Sequence, residues 1–133
     1  MTMRTKKIAI SVARVLLGLV FFVFGLDGFL HFVPQPTTPP PEGAMNLAIA
    51  FLQSGYLFPL IKGTEVLGGL LLLSNRFVPL ALVLLAPVVV NIAAFHLFLA
   101  PEGTWLALAL VAVEITLAWA YRAAYRPLLA VRA

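Results

Sequence analysis

With 133 residues, of which 62% are hydrophobic and only 11% charged, the chain is too apolar for a soluble domain, and the lipid bilayer is its natural solvent. The formal charge of +4 does not indicate a nucleic-acid partner, because the basic residues lie at the ends of apolar segments and form no continuous surface. The chain has no cysteine, which excludes disulfide bonds, iron–sulfur ligation and the chemistry of the small four-helix membrane thiol oxidoreductases.

The first predicted element is a transmembrane helix over residues 8–31, preceded by a short basic segment. Its apolar run is too long for the hydrophobic region of a signal peptide, and no small-residue cleavage site follows it. Arg14 lies early enough in this span for its side chain to extend to the lipid headgroups. A proline-rich outer loop over residues 33–43 comes next, because the sequence QPTTPPPEG is stiff and extended.

A short apolar stretch, residues 44–53, is a candidate helix that either lies along the membrane interface or leads into the second span. Pro87 predicts a kink in the middle of the third span. The four predicted spans are residues 8–31, 56–73, 77–99 and 105–121. The expected fold is therefore all-α: an integral-membrane four-helix bundle, a single transmembrane domain over residues 1–133, with a short interfacial helix after the first outer loop.

The second span, YLFPLIKGTEVLGGLLLL, is the one around which the other three are organised. It carries Lys62 and Glu65 one helical turn apart within a segment apolar enough to cross a bilayer. Gly63, Gly68 and Gly69 in the same span would let a neighbouring backbone approach closely. If the protein has a binding site, we expect this helix to line it.

The basic residues predict the orientation. In a four-span arrangement, eight of the nine Lys and Arg residues fall on one side of the membrane: Arg4, Lys6, Lys7, Arg14, Arg76, Arg122, Arg126 and Arg132. The opposite loops contain Glu42 and Glu102 but no Lys or Arg. Because short loops rich in Lys and Arg stay in the cytoplasm, we expect both termini to be cytoplasmic.

Each span contributes at least one polar or ionisable residue to a set of seven: Asp27, His31, Lys62, Glu65, Asn91, His96 and Glu114. Counted from the outer ends of the spans, the set lies roughly 0–15 Å below the outer face. Ionisable side chains at membrane depth usually face the bundle interior or a water-filled cavity. The set therefore predicts a polar ligand-binding pocket that opens outward. It assigns no catalytic residue and predicts no metal site.

The charges of this set leave several states open. If every group ionises, the carboxylates of Asp27, Glu65 and Glu114 outnumber the ammonium of Lys62 by two. Either one or two carboxyl groups are then protonated, or a histidine is charged, or a cation is bound.

Most members of the set also have a purely structural interpretation. Lys62 and Glu65, at positions i and i+3, can simply neutralise each other. Asn91 can bond to another helix or to the carbonyl freed by Pro87. Glu114 is the hardest to explain structurally, because it stands alone in an otherwise apolar helix.

Two segments resemble the DoxX family of small bacterial membrane proteins. Residues 13–29, ARVLLGLVFFVFGLDGF, are similar to the first helix of that family. Residues 65–88, EVLGGLLLLSNRFVPLALVLLAPV, are similar to its glutamate- and glycine-rich second helix, arginine turn and third helix. The resemblance implies a multi-pass protein of the bacterial inner membrane. Some members are associated with redox complexes, including a thiosulfate:quinone oxidoreductase, but the family offers no motif whose residue roles can be carried over.

Three functions of different classes stay open, and with them the question of whether the protein is an enzyme. The first is a subunit that binds a small apolar ligand with a polar head, such as a quinone, and takes electrons from a partner subunit, since no flavin or iron–sulfur signature is present. The second is proton-coupled transport of a small solute or ion by a homodimer. The third is a non-catalytic assembly or chaperone subunit. A bis-histidine haem between His31 and His96 rests on two residues alone, so the cofactor is not assigned.

Overall fold

The computed structural model describes residues 2–132 and shows a chain built from helices. The α-helices are α1 (Met3–Leu30), α2 (Glu42–Gln53), α3 (Leu57–Ser74), α4 (Val78–Phe98) and α5 (Thr104–Ala120). Short 3-10 helices at Pro101–Gly103 and Arg122–Leu129 precede and follow α5. No β-strand occurs in the part of the chain described, and the two end residues of the predicted single domain, 1 and 133, lie outside it.

Four helical segments are long and apolar enough to cross a membrane: α1, α3, α4 and Pro101–Ala120, which contains α5. This confirms the prediction of an all-α membrane protein with four spans. The short helix α2 lies between the first two of them. A turn with Gly55 at φ 80° separates α2 from α3, so α2 does not run straight on into the second span.

The spans pack antiparallel to their neighbours. α1 starts, α3 ends, α4 starts and α5 ends at one end of the bundle, called here the terminal end. The opposite end carries the proline-rich loop and is called the loop end. α1 packs mainly on α3, α3 on α4, and α4 on α5, while α5 also touches α1 and closes the bundle.

The first span ends in a turn that depends on Asp27. His31 adopts the left-handed conformation, with φ 54°, and its main-chain N–H donates to the carbonyl oxygen of Asp27 at 2.8 Å. The side chain of Asp27 then accepts a hydrogen bond of 2.7 Å from the N–H of Val33. This conformation is uncommon for a residue other than glycine, and the Asp27 carboxylate stabilises the chain just after it.

Glycines bring α1 and α3 into backbone contact. A Cβ on Gly25 of α1 would lie 2.8 Å from the main-chain nitrogen of Val66, and one on Gly69 of α3 would lie 2.5 Å from that of Phe22. No real side chain could be accommodated at these distances. Among the glycines of the second span, Gly69 thus allows the predicted close approach. Gly68 instead makes room for the side chain of Leu85 in α4.

The apolar core is concentrated towards the terminal end and draws on all four spans: Leu17, Phe21, Leu72, Val78, Ala81, Leu82, Leu85, Val89 and Leu117. Arg14 is half-buried beside it and donates a hydrogen bond to the carbonyl oxygen of Leu72. That carbonyl belongs to the last turn of α3, where it also accepts a hydrogen bond of 3.3 Å from the main-chain N–H of Asn75. A cation at this end of a helix is stabilised by the helix dipole. The guanidinium group of Arg14 thus caps a neighbouring helix at the terminal end. Its predicted extension to the headgroups stays a prediction.

Candidate functional site

An ion pair inside α3 is the centre of the polar region at the loop end. Lys62 Nζ donates a hydrogen bond of 3.2 Å to Glu65 Oε2, and Glu65 is only 5% exposed. The ammonium group lies 5.9 Å from the centroid of the Phe58 ring, within reach of a weak cation–π interaction. The aliphatic part of Lys62 lies against Gly28 of α1, where a Cβ would come within 2.5 Å of Lys62 Cγ. Gly28 therefore makes room for the lysine side chain in the α1–α3 contact.

Three cavities meet at Lys62, whose side chain lines all of them. The lateral cavity, about 490 Å³, lies between α3 and α4 beneath α2. The loop cavity, about 650 Å³, lies between α1, α3 and residues 33–36 of the proline-rich loop. The central cavity, about 230 Å³, lies between the four spans. Glu65 lines the lateral and central cavities, so the ion pair separates three spaces with different surroundings.

The lateral cavity combines aromatic walls with a few polar groups. Phe51 of α2, Phe58 of α3 and Phe95 of α4 line it together with Lys62, Glu65 and Asn91. Asn91 and its neighbour on the same helix face, Pro87, are exposed, so the cavity opens sideways between α3 and α4. No described residue forms a hydrogen bond with the Asn91 side chain. Its amide therefore faces the cavity and not a helix partner.

Asp27 and His31 line the loop cavity with Lys62. Asp27 already accepts the Val33 N–H, and no salt bridge joins it to Lys62 within the described part of the chain. His31 is exposed at the end of α1. The sequence pattern predicted these residues beside the pocket, and the structure shows that each also helps to end the first helix.

His96 separates the central cavity from an outer cavity of about 930 Å³ beneath the proline-rich loop, and it lines both. Its Nδ1 lies 3.1 Å from the carbonyl oxygen of Ala100, and its ring rests against Gly103. With the proton on Nδ1, the ring donates to Ala100 and its Nε2 is left to accept a hydrogen bond. The structure does not bring His31 and His96 into one cavity, and no group of described residues forms a metal site.

Glu114 is placed apart from the other six residues. It is 7% exposed, and its Oε2 is buried with no hydrogen-bond partner among the described residues. On the inward face of α5 it follows Leu110, which lines the central cavity, and precedes the fully buried Leu117. Glu114 itself lines none of the four cavities at the loop end. The structure thus places six of the predicted residues around neighbouring cavities that share lining residues, and it leaves Glu114 one helical turn beyond Leu110, in the apolar interior.

The model of the DoxX family matches residues 9–97, about two thirds of the chain. The chain belongs to the DoxX family. The match runs from α1 almost to the end of α4 and includes six of the seven site residues, while Glu114 lies beyond it. No curated protein and no solved structure matches this DoxX protein.

The aromatic side of the site in this DoxX protein was not predicted from the sequence. Phe58, Lys62 and Glu65 are spaced i, i+4 and i+7, which places them on one helix face and was a usable signal. Asn91 and Phe95 repeat the i, i+4 spacing on α4. The contribution of Phe51 had no signal, because it depends on how α2 folds back over α3.

Proposed function

We propose that this DoxX protein is a membrane subunit that binds a bilayer-soluble molecule with a planar, hydrogen-bonding head, of which the quinones are the best-fitting class. The observation that supports the proposal is the lateral cavity, where three phenylalanine rings face an ion pair and an amide. Its volume of about 490 Å³ lies within the usual range of small-molecule pockets, roughly 300–1,000 Å³.

The chemistry of the lining residues suits such a head group. A lysine ammonium has three donors, and one of them is used by Glu65. The others can donate to one quinone oxygen, while the Asn91 amide can donate to the second. Phe51, Phe58 and Phe95 supply apolar walls for the ring, and the exposed rim at Asn91 and Pro87 would admit a ligand directly from the bilayer.

The proposal extends to topology and partners. The basic residues of the terminal end favour cytoplasmic termini, which would place the lateral cavity in the periplasmic half of a bacterial inner membrane. A chain without cysteine has no thiolate ligands for an iron–sulfur cluster, so electrons for a bound quinone would come from a partner subunit. In this arrangement Lys62 and Glu65 position the ligand and exchange protons with it.

The test uses the full-length protein in detergent, titrated with decylubiquinone and followed by isothermal calorimetry and by the thermal unfolding midpoint. Saturable binding is expected, and Asn91→Ala should weaken it about tenfold, the effect of one lost hydrogen bond of about 1.4 kcal/mol. Thr64→Ala is the matched control, because Thr64 is on α3 but bonds to its own helix at Leu60 and lines none of the cavities at the loop end. Non-saturable partitioning, or equal losses in both variants, would refute the proposal.

Proton-coupled transport is a second candidate, and one observation favours it. His96 lines both the outer and the central cavity, and Glu65 also lines the central cavity. Glu114 lies one helical turn beyond Leu110, which lines the central cavity too. A pH jump across proteoliposomes would show proton uptake that Glu65→Gln and Glu114→Gln abolish. Uptake unchanged in both variants would remove this candidate.

A further inference from the structure

A separate groove lies at the terminal end of the bundle, away from the lateral cavity. It has a volume of about 300 Å³ and is lined by Lys7, Ile10 and Ser11 of α1 and by Ala120 and Tyr121 at the end of α5. Lys7 and Ser11 are one turn apart on the same helix face and exposed, while Ile10, Ala120 and Tyr121 are half-buried. The groove therefore has polar sides and an apolar floor.

No acidic side chain of the described residues balances the positive charge around this groove. The terminal end carries eight basic residues, whereas no Asp or Glu occurs in residues 1–26 or 115–133. Two of the basic side chains have main-chain partners, because Arg14 donates to Leu72 and Arg122 donates to Trp119 at 2.8 Å. Lys7 forms no hydrogen bond or salt bridge with any described residue.

We propose that this groove binds the phosphate of an anionic phospholipid. Lys7 supplies the counter-charge, the hydroxyl groups of Ser11 and Tyr121 supply donors for the phosphate oxygens, and the apolar floor takes the first part of an acyl chain. The groove lies close to the start of α1 and at the end of α5, where the phosphates of a bilayer lie beside spanning helices. Basic pockets between spans are typical sites for anionic headgroups. The site is independent of the ligand proposed for the lateral cavity.

The experiment compares two neighbouring lysines. Full-length protein is delipidated in detergent and titrated with palmitoyl-oleoyl phosphatidylglycerol or with the corresponding phosphatidylcholine, and bound lipid is counted by native mass spectrometry. Lys7→Gln should weaken phosphatidylglycerol binding roughly fivefold, the effect of removing one lysine beside an anionic membrane surface. Lys6→Gln removes the same charge from the adjacent residue, which does not line the groove, and should change binding less than twofold. Phosphatidylcholine binding should be weak in all variants.

Further arms separate the sources of the phosphate and guard against misfolding. Inorganic phosphate and glycerophosphoglycerol at the same concentrations should not displace the lipid, because neither can use the apolar floor. If either competes as well as the lipid itself, the groove is a site for a soluble phosphate and the lipid proposal is wrong. Equal losses in Lys7→Gln and Lys6→Gln would also overturn it, since they would indicate diffuse attraction. The double variant Ser11→Ala/Tyr121→Phe keeps every charge and should still weaken phosphatidylglycerol binding; if it binds normally, the groove is not the site.

Discussion

Lys62 and Glu65 form an ion pair whose two partners are unequally exposed, with 23% of the lysine side chain and 6% of the glutamate side chain accessible. The carboxylate therefore depends on the lysine, because Glu65 has no other hydrogen-bond partner among the described residues. The lysine keeps contact with three cavities and has donors to spare. This asymmetry makes the lysine available to a ligand and holds the glutamate in place.

Removing Lys62 should therefore be more harmful than removing the whole pair. Lys62→Met leaves a buried carboxylate without its partner and should lower the free energy of unfolding by about 1–3 kcal/mol, less than for a fully buried pair because the ammonium group contacts the cavities. The double variant Lys62→Met/Glu65→Gln should recover part of that loss. Chemical unfolding of Lys62→Met, Glu65→Gln and the double variant in the same detergent measures the coupling. A double variant as unstable as the sum of the two singles would contradict the asymmetry.

Replacing Gly25 by alanine should lower the free energy of unfolding, whereas replacing Gly63 should not. A Cβ at Gly25 would lie 2.8 Å from the nitrogen of Val66 and 3.0 Å from Glu65 Cβ, so Gly25→Ala must force α1 and α3 apart. We expect a loss of about 1–3 kcal/mol, the usual result of overpacking. Gly63→Ala is the matched control, because no atom of the described residues lies within 4 Å of the position that its Cβ would take, and alanine favours the helix. Similar unfolding midpoints for the two variants would show that the α1–α3 contact is not tight.

The number of spans could be predicted from the sequence, because the length of an apolar segment is a local signal. The six polar residues that line the cavities at the loop end could also be singled out, because a polar residue within an apolar segment stands out locally. The four predicted spans differ from the helices mainly at their ends, most of all at the start of α1, where Thr2 caps the helix with a hydrogen bond from the N–H of Thr5. The separation of the lateral, loop and central cavities could not be predicted, because it depends on how the Lys62 side chain packs against Gly28 of α1. The placement of Glu114 likewise depends on the depth at which the cavities end.

Asp27 should stabilise the end of the first span through the N–H of Val33. Asp27→Ala removes the acceptor of the 2.7 Å hydrogen bond and should destabilise this turn by about 1 kcal/mol. Asp27→Asn retains an acceptor oxygen and is the matched control. Amide hydrogen exchange at Val33 should accelerate several-fold in the alanine variant and little in the asparagine variant. Unchanged exchange in Asp27→Ala would show that the turn is held by other contacts.

Tyr125, just beyond the last span, should make stability depend on pH in the alkaline range. Its hydroxyl group donates a hydrogen bond of 2.8 Å to the carbonyl oxygen of Pro79. Burial, and secondarily the negative charge of Glu114, raise the pKa of Tyr125 above its ordinary value of 10.0. A group with a raised pKa in the folded state contributes its full stabilisation below the unfolded pKa and loses it as pH rises through the folded pKa.

Tyr125→Phe should therefore cost about 1 kcal/mol near pH 8 through the lost hydrogen bond, and the difference from the native protein should shrink above about pH 10. Thermal unfolding of both proteins between pH 8 and 11 measures this difference. Lysine titration does not contribute to it, because both proteins carry the same lysines. Tyr56→Phe, at a residue that is 65% exposed, is the control and should show no such trend. A constant difference across the range would mean that Tyr125 does not titrate differently in the folded protein.

Replacing Glu114 should affect the stability of the protein and its proposed transport function in opposite directions. Its Oε2 has no partner among the described residues and lies between the apolar side chains of Leu110 and Leu117 on the same face of α5. A buried polar group without a hydrogen bond costs roughly 1–3 kcal/mol, so Glu114→Leu, of similar size, should raise the unfolding free energy by about that amount. Glu102→Leu, at an exposed residue of the loop end, should change it little and is the control. If Glu114→Leu instead destabilises the protein, the carboxyl group has a partner within the bundle. If it stabilises the protein and proton uptake in proteoliposomes is lost as well, the residue is retained for transport at the expense of stability.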